Sequence, residues 1–372
     1  MEGIVLKFVM KDYRNNLKNL SGAALGGLDL SLLLYNKFLP FKNTKFFSGG
    51  FGDLSLVNEL EGLIHSYARG HEPDIKVEPF WKYREAKQTK TCRIDNVWFN
   101  GPFTKFLPEE CHTGSFQLIR PLEGKPLKGI VIHAASTGDS TFQVRKQLIA
   151  EPLLEKGIGS LILMIPFYGD RRPKGQKWHF IRSVSDFLIN LGATLLEISL
   201  LVDWVRKTFP DLMVGITGIS MGGGITGCAG AVTGGDLALS PCLAGHSPSP
   251  LVKGALRGQI DWETLSKESR LPKDEVMAHL YELLEKYSIE KLVKSFPVEK
   301  VGKRTFVQIN ARDDYVVEKK SGEKLFKLFS SSIGEERSVL RTIEGGHLSS
   351  FMASQYFFVP AILKSFELLE EN

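Results

Sequence analysis

From about Ser115 onward, apolar residues fall into two alternating patterns. Short runs rich in β-branched residues predict strands at 115–120 (SFQLIR), 128–135 (KGIVIHAA), 159–169 (GSLILMIPFYG), 211–220 (DLMVGITGIS) and 236–245 (DLALSPCLAG). Between them, residues 142–157 and 184–209 carry apolar side chains at helical spacing, the first stopping at Gly157. Residues 221–234 form a helix of small side chains. Strand-helix-strand order predicts an α/β fold with a mostly parallel central sheet and helices on both faces.

The alternation pauses over 247–303. There 262–270 (WETLSKESR) and 274–296 (DEVMAHLYELLEKYSIEKLVKSF) read as helices, before strands resume at 304–314 and 338–347. A helical insertion at this place is expected to be a lid or cap over a site at the strand C-termini. Residues 1–110 mix short apolar runs with loop signals such as FFSGGFGD and NGPF, and carry a helical stretch that stops at Gly70. The expected organisation is an N-terminal extension packed on the core (1–110), core (111–246), cap (247–303) and core again (304–372).

Composition narrows the function classes. The 372 residues suffice for one large α/β domain with additions, and 43% hydrophobic with 24% charged residues is the balance of a soluble globular chain. The net charge of +5 is spread along the chain, which argues against a nucleic-acid partner and is compatible with peripheral contact on an anionic membrane surface. The four cysteines show no CxxC spacing, so free thiols are expected, and with no metal-ligand spacing no metal site is; the serine chemistry read below needs no cofactor. No segment reads as long and apolar enough to span a bilayer. The strongest candidate, 191–205, contains Glu197 and Asp203 and reads as a buried helix. The first twenty residues hold four basic positions but also Glu2 and Asp12, and transit peptides are acidic-poor. Mitochondrial and cytoplasmic locations both stay open on that segment.

The candidate chemistry centres on Gly218-Ile219-Ser220-Met221-Gly222, a G-x-S-x-G pattern between an expected strand and an expected helix. A serine on so sharp a turn is strained, and the residues two before and two after it must be nearly free of side chain, as Gly218 and Gly222 are. Gly223 and Gly224 would let the following helix pack tightly, and Met221 would offer its N–H to an oxyanion. A phosphate loop would instead need a Gly-Lys-Ser/Thr ending, which is absent here.

A serine needs a base, and in this arrangement the acid and histidine follow it in chain order. Asp313 and Asp314 come just after the strand at 304–311, and His347 just after the last strand. The loop Asp313-Asp314-Tyr315-Val316-Val317 reads as an acid followed, after two residues, by an apolar pair. That reading favours Asp313, with Asp314 as the alternative capping a turn. The second oxyanion donor is expected in the loop His133-Ala134-Ala135-Ser136, at Ala135, with His133 structural.

The blocks HAASTGDSTF, MIPFYGDRRPKGQ, SPLVKGALRGQIDW, ITGISMGGGITG, ARDDYVV and EGGHLSSF resemble the α/β-hydrolase domain-containing protein 18 family, over roughly residues 115–365. The resemblance implies an α/β-hydrolase fold, Ser220 as nucleophile with Asp313 and His347 as partners, and Thr137, Gly138 and Asp139 at the site entrance. It also implies similarity to lipid-handling hydrolases and an association with mitochondria. Two positions depart from the family pattern: Ser136 stands where a glycine is usual, and Gly224 where a larger residue is. In the loop GDRRPKGQK, Arg171, Arg172, Lys174 and Lys177 could bind an anionic head group or form a solvated basic loop. The expected function is a serine hydrolase cleaving fatty-acyl esters of lipids or phospholipids through an acyl-enzyme. A non-catalytic binding protein on the same fold, or an acyltransferase using the same triad, is the alternative.

Overall fold

The computed structural model describes residues 44–68, 81–254, 256–295 and 302–371. The basic N-terminal segment and Gly70 lie outside the described residues. Nine strands form one sheet: β1 (Trp81–Gln88), β2 (Cys92–Asn100), β3 (Thr113–Pro121), β4 (Gly129–Ala134), β5 (Ile158–Met164), β6 (Met213–Ile219), β7 (Leu237–Cys242), β8 (Arg304–Ala311) and β9 (Ser338–Ile343). Their order across the sheet is β1-β2-β3-β5-β4-β6-β7-β8-β9. From β5 to β9 every pairing is parallel, whereas β1, β2 and β3 join antiparallel. The parallel strands β4, β5, β7 and β8 are buried along their whole length, which is why they read as unbroken apolar runs.

Residues 81–100, assigned from the sequence to an extension, are instead two strands of the central sheet. The boundary expected at 110 divides no structural unit, because β2 pairs with β3 along nine positions. The remainder of the described N-terminal region does pack on the core: α1 (Leu54–Ala68) lies on α2 (Val184–Thr208). Helix α2 starts where the Ser183 hydroxyl accepts the Asp186 N–H at 3.0 Å, a side-chain N-cap. By length and composition this helix is apolar enough to cross a membrane, contrary to the expectation from its two acids, but 83% of its most apolar window is buried inside the protein. Glu197 is neutralised in place by Arg171, so the acid does not interrupt the apolar packing.

The two larger hydrophobic clusters among the described residues occupy the two faces of the sheet. Ile130 and Ile132 of β4 belong to one, with α1, α2 and α3 (Met221–Val232); Val131 belongs to the other, with the C-terminal helix. Between β7 and β8 the chain forms the expected helical insertion, with α4 (Trp262–Ser269), α5 (Lys273–Glu285) and α6 (Ile289–Ser295). The single helix expected over 274–296 is broken at Lys286–Ser288. The Ser288 hydroxyl accepts the Lys291 N–H at 3.4 Å, which starts a new helix. The insertion is tied down from the N-terminal side. Phe46 exchanges backbone hydrogen bonds with Gln259 and Asp261, at 2.8 and 2.9 Å, and the Phe51 N–H donates to Glu268 Oε2 at 2.8 Å. After β8 come α7 (Lys319–Ile333), then, past β9, α8 (His347–Met352) and α9 (Ser354–Glu371).

Candidate active site

Ser220 stands between β6 and α3 with φ 58° and ψ −118°, a conformation that costs a non-glycine residue of order 1–3 kcal/mol. The turn is held by the Ser220 N–H donating to the Cys242 carbonyl at 2.9 Å, and α3 begins with the Gly224 N–H on the Ser220 carbonyl at 3.0 Å. A Cβ on Gly218 would fall onto the Gly222 carbonyl, and one on Gly222 would sit 2.6 Å from the Ala134 oxygen and 2.9 Å from that of Ala135. The two glycines therefore do what the sequence pattern requires of them. Gly223 packs against Ala244 and the Cys242 carbonyl, and Gly227 against Ile289 of the insertion. Gly224 differs from the expectation of tight packing: a Cβ there would meet open space.

The other side chains follow the ends of β8 and β9, on the same edge of the parallel sheet as Ser220. His347 is 7% exposed. Its Nδ1 lies 2.8 Å from Asp314 Oδ2, which corrects the assignment of Asp313. The other Asp314 oxygen accepts the N–H groups of Val316 and Val317, both at 2.8 Å. Its capping of this turn and its pairing with histidine are thus simultaneous. Asp313 turns the other way: its carboxylate is 3.6 Å from Arg312 Nε, and its N–H donates to the Gly345 carbonyl.

Met221 is the first residue of α3, where helical N–H groups have no intrahelical acceptor. Ala135 is fully buried, and its carbonyl lies close to Gly222, which places this segment beside the elbow. Thr137 is exposed beside it, with its hydroxyl 3.7 Å from the Met221 sulfur. Gly138 has φ +85° and lies against the His179 ring, whose protonation burial pushes down to a pKa of about 4.

Asp139 does not present its carboxylate at the entrance. Its side chain is 5% exposed and forms an ion pair with Arg145, Oδ2 to Nε 2.6 Å. Arg145 was not singled out from the sequence, although its position three and four residues before Leu148 and Ile149 places it on the apolar face of its helical segment. Burial works against its charge, and the Asp139 carboxylate offsets that. His133 is buried as expected for a structural residue, and burial lowers its pKa to about 3.

The basic loop divides. Arg171 cannot bind a head group: it is wholly buried, clamps Glu197 with two bonds of 2.7 Å, and donates to the carbonyls of Met164 and Cys111. Arg172, Lys174 and Lys177 are exposed, and the Lys174 N–H donates to Glu110 at 3.1 Å. All four cysteines are free and buried, and no group of metal-ligating residues occurs among the described residues.

Comparison with solved structures gives the same fold. An acetyl xylan esterase 1 from Thermoanaerobacterium sp. JW/SL YS485 superposes with a TM-score of 0.54 at 15% identity, covering 87% of this chain and 96% of that one. An acetyl xylan esterase from Paenibacillus sp. R4 gives 0.54 at 12% identity, with 86% and 96% covered. The sheet is accordingly that of an α/β-hydrolase. The family model described as alpha/beta hydrolase domain containing 18 matches residues 44–291, a span that contains the elbow and ends before Asp314 and His347. With about two thirds of its length matched, this chain belongs to the alpha/beta hydrolase domain containing 18 family.

Proposed function

We propose that this protein is a serine ester hydrolase that works through an acyl-enzyme, on fatty-acyl esters of lipids or phospholipids. The observation that carries the reading is the constellation itself. A serine in a strained turn at the end of β6 shares a sheet edge with a buried histidine, and that histidine is oriented by a carboxylate fixed in turn by two backbone N–H groups.

In this reading Ser220 Oγ attacks the ester carbonyl and its proton passes to His347. Asp314 holds the imidazole through Nδ1 and stabilises the imidazolium that forms. The Met221 N–H, with the Ala135 segment, receives the negative charge on the carbonyl oxygen. His347 then gives its proton to the departing alcohol. In the second half it takes a proton from water, whose oxygen forms the new bond to the acyl carbon, and returns that proton to Ser220 Oγ as the serine–acyl bond breaks. The lipid class is supported by the sequence resemblance to lipid-handling hydrolases.

The experiment is labelling with a fluorophosphonate probe together with hydrolysis of a series of esters from acetyl to long-chain acyl, in wild type and Ser220→Ala. Loss of both signals in the variant is expected, with long-chain esters preferred. Labelling that persists in Ser220→Ala rejects the nucleophile, and a preference for acetyl esters rejects the lipid class.

A further inference from the structure

We propose that the buried Asp139–Arg145 ion pair is the device that positions the oxyanion loop, and that both are positioning residues. This rests on the hydrolase reading above. The loop Ala135-Ser136-Thr137-Gly138 leaves β4 and contains no large side chain with which to anchor itself in the core. Its near end is held by the strand, and its turn is closed by the Asp139 N–H on the Ser136 carbonyl at 3.1 Å. Its far end is held by the Asp139 carboxylate, which reaches inward to Arg145.

The same guanidinium donates to the His133 carbonyl in β4 at 3.0 Å and to the Leu163 carbonyl in β5 at 2.7 Å. One buried group therefore ties the loop to the ends of two neighbouring strands. It lies beside a small cavity lined by Ser136, Thr217 and Gly218, directly behind the elbow. The Ala134 and Ala135 carbonyls rest on Gly222, so any shift of the loop changes the relation between Ala135 and Met221.

A buried ion pair is a poor way to gain stability, because desolvation of both charges offsets their attraction. It is a good way to set a geometry, and displacements near 1 Å cost catalytic rate. The pair differs in this respect from an apolar contact of the same volume, which would hold the loop with less directional definition.

The test is the double variant Asp139→Leu/Arg145→Met, which removes both charges together. The single Asp139→Asn would leave the Arg145 charge buried without its partner and lose folded protein. The expected result is a cooperative thermal melt near that of wild type, with kcat on a soluble ester lowered about 10- to 100-fold and KM little changed. Arg145→Lys, which keeps the charge but not the forked donor, is expected to fall between the two. Wild-type kcat in the double variant, a change in KM alone, or activity lost only in proportion to folded protein would each overturn the positioning role while leaving the hydrolase reading intact. Absence of ester hydrolysis in the wild type would overturn that reading and this inference with it.

Discussion

His347 Nδ1 lies 2.8 Å from Asp314 Oδ2, and the adjacent Asp313 faces away from that contact towards Arg312. Neighbouring residues in a turn direct their side chains differently, so only one member of the Asp-Asp pair can meet the histidine. The member that does is the one whose second oxygen is already fixed by the N–H groups of Val316 and Val317. A carboxylate held at both oxygens cannot rotate away from the imidazole, and this holds the ring in one tautomer.

The two aspartates should therefore separate cleanly on substitution. Asp314→Asn is expected to lower kcat by about 10²- to 10⁴-fold, because the imidazole loses its orienting partner. Asp313→Asn is expected to stay within about tenfold of wild type, since that carboxylate has no contact with His347. Steady-state hydrolysis of a soluble ester measures both. Equal losses would argue against Asp314 as the orienting acid.

The elbow glycines differ from Gly224 by what a methyl group would meet. Gly222→Ala pushes a Cβ to 2.6 Å from the Ala134 oxygen, so loss of activity with a drop in stability of about 2 kcal/mol or more is expected. Gly224→Ala meets open space within α3 and should gain up to about 1 kcal/mol from helix propensity. Urea unfolding midpoints of the two variants should lie on opposite sides of wild type.

Arg171 and Arg172 are neighbours with opposite fates. Removing Arg171 leaves Glu197 buried without its partner, so Arg171→Met is expected to cost about 3–5 kcal/mol of stability. The exposed Arg172→Met should change stability by no more than about 0.5 kcal/mol. Chemical denaturation distinguishes them, and a stable Arg171→Met would contradict the clamp.

His133 supplies a pH dependence whose direction follows from its depressed pKa of about 3. Below pH 6.5 the unfolded chain takes up a proton at this histidine that the folded chain refuses until about pH 3. Stability is therefore full above pH 6.5 and is lost as pH falls through that window, by an amount on the order of a few kcal/mol. In His133→Asn this contribution disappears. The fall of the urea midpoint between pH 6.5 and pH 4 should be shallower than in wild type, and parallel curves would show that His133 does not contribute.

The apolar pattern by itself determined the order of β3 to β9 and the helical segments that link β4 to β7, because strands buried on both faces leave unbroken apolar runs and helices leave a stripe, whereas the helices after β8 and β9 were not read from it. It also determined the elbow, since Gly218 and Gly222 are demanded by backbone contacts within a few residues. Only the tertiary structure decided which aspartate meets His347, because that depends on the path of a loop against a histidine 33 positions further on. It likewise turned Arg171 and Asp139 inward. A charged residue in a loop looks solvated in sequence, and its burial follows from a partner supplied elsewhere, here Glu197 in α2 and Arg145 in the next helical segment. The strands at 81–100 joined the sheet for the same kind of reason: their edge partner β3 lies beyond an intervening loop, and pairing across space, not local pattern, decides what a half-buried strand belongs to.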